Sequence, residues 1–143
     1  MQKIKAYADS SFDEKRQVAG IGVLIEEGEK RRVYSTFVRA RTNNEGELFA
    51  VHLAGILTEG RGVIYTDSQT ALSYISGQIK DKPRTREQYI NHKHCEYWAC
   101  QIRRRGLQVE KIKSHQNRYQ SHALGNSLAD LLAKRGRAKF YER

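Results

Sequence analysis

Proline is almost missing from this chain: Pro83 is the only one in 143 residues. With just 11 glycines beside it, a collagen-like or proline-rich segment is excluded. Cysteine is scarce too. Cys95 and Cys100 are the only two, and at that separation on one helix they point more than a quarter turn apart, which disfavours a bridge. A disulfide-stapled scaffold is therefore excluded, and a reducing, cytoplasmic setting is expected. Long apolar runs are also lacking. The longest, Ala19 to Ile25, has seven residues, against the roughly 20 of a bilayer crossing, so no membrane partner is expected. Met1 to Ser10 has no apolar stretch of the kind a signal peptide carries. Acidic side chains are outnumbered, 16 against 26 basic ones, giving a formal charge of +10. That surplus points to a polyanion, with nucleic acid the commonest case.

What remains is enough for a folded body. Hydrophobic residues make up 38% of the chain, too many for a disordered basic tail. No repeat or linker divides it, so residues 1–143 are read as one domain. Lys3 to Ala8 alternates apolar and polar residues as a half-buried strand does. Val18 to Ile25 and Arg32 to Val38 follow as two more strands, separated by a turn at Glu26–Glu29, and the three read as an antiparallel meander. From Glu47 the apolar residues Leu48, Val51, Ala54 and Leu57 take helical spacing. Val63 to Tyr65 suits a buried strand. Asp67-Ser68 caps a second helix ending near Gly77, and Glu87 to Arg105 reads as a third. Leu107 to Ile112 is a fifth strand, Ser114 to Leu124 is polar and irregular, and Asn126 to Arg135 closes as a helix. The order predicts an α/β fold in which helices cover a mixed five-stranded sheet.

Four acids stand out against the basic background. Asp9 is expected directly after the first strand, Glu47 in the first turn of the first helix, Asp67 after the fourth strand and Asp130 within the last helix. Strand ends and helix starts are where α/β sheets assemble sites. If strands one and four are parallel neighbours, Asp9 and Asp67 meet. Crowded carboxylates repel unless a cation neutralises them, and hard oxygen ligands are what Mg²⁺ requires. Taken singly, Asp9 and Asp67 read as loop caps, Glu47 as a helix-dipole residue and Asp130 as a surface helix acid.

In series, the segments Tyr7-Ala8-Asp9-Ser10-Ser11, Ala19-Gly20-Ile21-Gly22, Thr42-Asn43-Asn44-Glu45-Gly46-Glu47-Leu48, Tyr65-Thr66-Asp67-Ser68-Gln69, Lys113-Ser114-His115 and Asn126-Ser127-Leu128-Ala129-Asp130 resemble ribonuclease H of type I. The resemblance implies a ribonuclease H-like fold and cleavage of the RNA strand of an RNA/DNA hybrid, leaving a 3′-hydroxyl and a 5′-phosphate. It implies that Asp9, Glu47, Asp67 and Asp130 ligate two Mg²⁺ ions, replaceable by Mn²⁺, with Asp9 between them. It also implies that His115 assists proton transfer or product release, with His122 as a rival. Ser10, Thr42, Asn43, Asn44 and Gln69 match its substrate-binding positions, and the protein is expected to act as a monomer. The chain departs from the pattern in several places. Ser10 stands where glycine is usual, and Lys15 where an asparagine often contacts the hybrid. The loop before Asp130 looks longer. The Ile79–Arg105 span looks short, so that Lys80, Lys82, Arg84 and Arg86 make a reduced basic protrusion, with Arg103-Arg104-Arg105 as a further phosphate candidate.

Other readings compete. His92-x-His94-Cys95 with Cys100 invites zinc, but the spacing matches no closed Cys/His site. An integrase-like strand-transfer core would need further DNA-binding domains. A non-catalytic nucleic-acid binder would gain by losing four carboxylates that face phosphates.

Overall fold

The computed structural model describes residues 3–112 and 121–143. Strands β1 (Ile4–Asp13), β2 (Val18–Glu27) and β3 (Lys30–Arg39) lead into helix α1 (Asn43–Leu57). Then come β4 (Val63–Thr66), α2 (Gln69–Ser76), α3 (Arg86–Arg104), β5 (Gln108–Lys111) and α4 (Ser121–Tyr141). The sheet runs in the order β3-β2-β1-β4-β5. β1, β2 and β3 are antiparallel, and β4 joins β1 in parallel, as does β5 to β4. The mixed sheet with flanking helices is thus the one the sequence predicts. No helix among the described residues is long and apolar enough to cross a membrane.

The sheet separates two cores. On one face Ala6, Ala8, Ile21, Val23 and Ile25 pack with Leu48, Val51 and Ala54 of α1 and Cys95, Ala99 and Ile102 of α3. On the other, Tyr7 and Leu24 pack with Ala129 and Leu132 of α4. β2 is therefore covered on both sides, which is why Val18 to Ile25 is continuously buried and reads as an unbroken apolar run.

Glycines set how closely helices approach. A side chain at Gly22 would collide with the Ala129 carbonyl, and one at Gly20 with the Ala133 carbonyl, so α4 lies almost directly on β2. Gly46 likewise brings α1 against Ser10 of β1. Gly22 is the cross-strand partner of Asp9, so the close approach also draws the neighbour of Ala129, Asp130, toward Asp9.

Several boundaries differ from expectation. β1 runs on to Asp13, so Asp9 lies inside the strand rather than after it. β1 needs no partner on the β4 side there, because antiparallel pairing with β2 continues through Asp13 to Val18. α1 begins at Asn43 with Thr42 as N-cap, its hydroxyl accepting from the Glu45 N–H, so neither asparagine is the cap and Glu47 falls in the second turn. α4 starts at Ser121 and continues to Tyr141. Gly136, just past the expected end, stays within the helix, and it is glycine there because a side chain would strike the Thr36 carbonyl of β3.

Candidate active site

The last residue of β1 paired with β4 is Tyr7. Beyond it β4 parts from β1, though its Thr66 still pairs with Lys111 of β5, and Asp67, immediately after β4, lies beside Asp9. Glu47 reaches the same point from α1. Carboxylate oxygens of Asp9, Glu47 and Asp67 all lie within 4.8 Å of one another, with Asp9 and Glu47 buried and Asp67 exposed. Asp130 is at the margin. Its carboxyl contacts Asp9, but it is half-exposed and pairs with Lys134 at 3.1 Å, one helical turn along.

The electrostatics follow from this crowding. Burial, with the Asp67 carboxylate next, pushes the Asp9 carboxyl up to about 7. Burial again, followed by Asp9 and Asp67, pushes Glu47 up to about 9. The Ser10 backbone N–H opposes both shifts by favouring the ionised forms. Glu47 Oε2 is buried with no hydrogen-bond partner, an arrangement that costs free energy unless something outside the protein supplies a positive charge. The donor set is wholly carboxylate oxygen, which suits a hard divalent cation.

A groove runs past residues that neighbour this cluster in the chain, Asn44 and Gln69. Gln69 opens α2, and Asn44, Tyr74 and Lys80 continue the groove. It deepens between Thr42 and Asn44 on one wall and Gln88, Asn91 and His92 of α3 on the other, with Lys82 and Arg84 at its rim. Asn43 is exposed beside it. Ser10 is buried with its hydroxyl unpartnered. Lys80, Lys82, Arg84 and Arg86 are all exposed. Arg103 is committed elsewhere: its guanidinium donates to the Tyr74 and Ile75 carbonyls at 2.8 and 3.2 Å and closes the end of α2.

His115 lies outside the described residues. His122, its rival, sits at the start of α4, with Nδ1 2.8 Å from the Tyr7 hydroxyl and its ring 4.3 Å from that of Tyr65. The residues of the zinc reading have separate partners. His92 meets the Tyr74 hydroxyl and His94 meets Glu45, while Cys95 is buried against Thr42 and Tyr74, its thiol pushed up to about 11 chiefly by burial. Sequence reasoning missed Glu45 and the α3 wall. Glu45 three residues after an N-cap threonine carries a capping-box signature, but nothing in the chain signals Gln88, Asn91 or His92.

The family model described as RNase H matches residues 1–138. No curated protein matches the chain. Among solved structures, ribonuclease H1 of the halophilic archaeon Halobacterium salinarum superposes with a TM-score of 0.64 at 16% identity, covering 96% of this chain and 98% of that one. LC11-RNase H1, in complex with an RNA/DNA hybrid, gives a TM-score of 0.62 at 21% identity, with 97% and 99% covered. The N-terminal RNase H domain of a Mycobacterium tuberculosis protein gives 0.59 at 17%, with 93% and 97% covered. At these identities the structures speak for the fold.

Proposed function

The chain belongs to the ribonuclease H family, and on that premise we propose that it hydrolyses the RNA strand of RNA/DNA hybrids, leaving a 3′-hydroxyl and a 5′-phosphate. The observation that carries the proposal is the gathering of Asp9, Glu47 and Asp67 within 4.8 Å, together with a groove along Asn44 and Gln69 whose lining includes amides and cations. The surplus of basic residues attracts the phosphate backbone, while Asp9, Glu47 and Asp67 concentrate negative charge at one point.

The residues present fit divalent metal. Asp9, Glu47, Asp67 and Asp130 would hold two Mg²⁺ ions, or Mn²⁺ in their place, with Asp9 shared. The unpartnered Glu47 Oε2 and the crowding of three carboxylates offer such ions oxygen ligands that the protein itself does not neutralise. When bound, such ions supply a hydroxide-like nucleophile and neutralise charge on the scissile phosphate. The chain's own residues do the rest. Asn43, Asn44 and Gln69 offer amides suited to the 2′-hydroxyls that tell RNA from DNA. Thr42, Lys82 and Arg84 suit phosphates. Ser10, beneath Glu47's helix at Gly46, fixes the spacing of β1 and α1. We assign proton transfer or product release to His115. The setting proposed is cytoplasmic, with one 143-residue domain acting as a monomer.

The test is a labelled RNA strand annealed to DNA, to RNA or left single, incubated with Mg²⁺ or with EDTA. Metal-dependent cutting of the hybrid alone, leaving a 3′-hydroxyl and lost in Asp67→Asn, is expected. Binding without cutting would point instead to a silent binder, and strand joining to an integrase-like core. Wild-type turnover in Asp67→Asn would overturn the assignment of the metal ligands.

A further inference from the structure

Glu45 is buried, 7% exposed, two residues from Glu47 on α1, and takes no part in the carboxylate cluster. In an ordinary capping box the N3 carboxylate returns to the N–H of the N-cap. Here it reaches one residue further. Oε1 accepts from the Arg41 N–H at 2.9 Å, while Oε2 leaves the helix and meets α3, accepting from Trp98 Nε1–H and His94 Nδ1, each at 3.2 Å. Because a carboxylate only accepts, His94 must carry a proton on Nδ1. A second tie runs in parallel, from Arg41 Nε to Asn91 Oδ1 at 2.8 Å. Asn91, His94 and Trp98 are spaced at i, i+3 and i+7, so one face of α3 grips the turn that enters α1. That turn, Arg41 to Asn44, carries Thr42 and Asn44, one wall of the groove. Asn91 also belongs to the opposite wall.

We infer that Glu45 is a positioning residue for nucleic-acid binding: held by His94 and Trp98, its carboxylate fixes the Arg41–Asn44 turn against α3 and so sets the width of the groove. The inference rests on the hybrid-cleaving reading above and adds a residue to it. Glu45 touches no substrate. Its effect falls on Thr42 and Asn44, which differ from the Glu47 cluster in position, so binding and turnover separate. A helix cap alone would not need donors from α3, since Arg41 N–H satisfies one oxygen and water reaches most cap carboxylates.

The test uses Glu45→Gln, Trp98→Phe and the double variant of the full chain. Glu45→Gln keeps the volume but has one acceptor oxygen for three donors. Trp98→Phe deletes the Nε1–H together with part of the indole, and leaves a smaller aromatic ring against Phe49 and His52. Binding of a fluorescent hybrid is measured in EDTA, and steady-state cleavage in Mg²⁺, both per folded molecule well below the melting temperature. For Glu45→Gln, Kd and KM rise by about fivefold, the scale of one lost net hydrogen bond, and kcat stays within about twofold. Trp98→Phe moves the same parameters less, and the double variant is no worse than Glu45→Gln, because both remove one link. Unchanged Kd and KM, a fall in kcat at constant KM, or additive effects in the double variant would each overturn the inference. Failure of the underlying reading looks different: the unmodified protein would then neither prefer nor cut the hybrid, and the inference would fall with it.

Discussion

Glu45 and Glu47 sit two residues apart on α1, are buried to nearly the same degree, and are treated in opposite ways. Glu45 has a donor for each oxygen and a third to spare, all from Arg41, His94 and Trp98. Glu47 has Asp9 and Asp67 as neighbours and an Oε2 with no partner. One carboxylate is finished by the protein, and the other is left unfinished. The difference separates architecture from chemistry better than burial does, since a buried charge is stable only when something answers it. At Glu45 the answer comes from α3. At Glu47 Oε2 the protein supplies none, and in the function proposed above a divalent metal ion would.

Four measurements break or sharpen the contrast. The largest effect is expected from Glu47→Gln, which keeps size and removes charge. Metal-dependent cleavage falls on the order of a thousandfold, because several kcal/mol of transition-state stabilisation are lost at about 1.4 kcal/mol per decade. In the same variant the metal-free protein is no less stable than the parent, as denaturation in EDTA will show. A substantial loss of stability there would make Glu47 structural. Next, Glu45→Leu strands three donors and costs about 2–3 kcal/mol of unfolding free energy. If Leu at 45 proved neutral, the network around it would be ornamental.

A smaller, graded effect is expected with pH. In the metal-free fold Asp9 is raised from 3.8 to about 7 and Glu47 from 4.5 to about 9. The folded state therefore keeps protons that the unfolded chain has already released, and the contribution of these groups is full below about pH 4 and lost as pH climbs toward 9. Urea unfolding in EDTA at several pH values should show that decline, and Glu47→Gln should flatten it. His52, whose pKa is lowered mainly by burial, acts in the opposite sense, adding stability as pH rises, so the comparison with Glu47→Gln isolates the cluster. A parent whose stability rises across this range would contradict the burial of unanswered carboxyls. The smallest effect belongs to Lys134→Ala, which removes the partner of Asp130 in a largely solvated pair and should change stability by less than about 0.5 kcal/mol.

Much of the arrangement was legible in the chain. The sheet order follows from three alternating or apolar runs, a helix and a short buried strand, and the parallel placement of β4 beside β1 brings Asp9 and Asp67 together as anticipated. Asp9 was misplaced only in that β1 outruns its alternation: Asp9 to Asp13 look like a turn by composition, and only pairing with β2 makes them strand. The α1 cap was blurred because Thr42, Asn43 and Asn44 are all good N-caps, and composition cannot choose among them. The early start of α4 has a similar cause. His122 to Leu124 carry no strong helical stripe, but Gly125 lets α4 settle on the Tyr7 ring, and packing supplies what propensity lacks. Asp130 was foreseen as a full member of the cluster. It contacts Asp9 and also answers to Lys134.

Residue order alone determined the local matters: where strands alternate, where α2 and α3 begin within a residue, that the charge is basic, and that four acids stand at telling places. It did so because caps, periodicity and turns depend on neighbours a few positions apart. Which carboxylates are answered and which are left bare was decided only by the fold. The donors to Glu45 stand 49 and 53 residues away on α3, the partners of Glu47 come from two separate strands, and such distances along the chain close only when the sheet and its helices have packed.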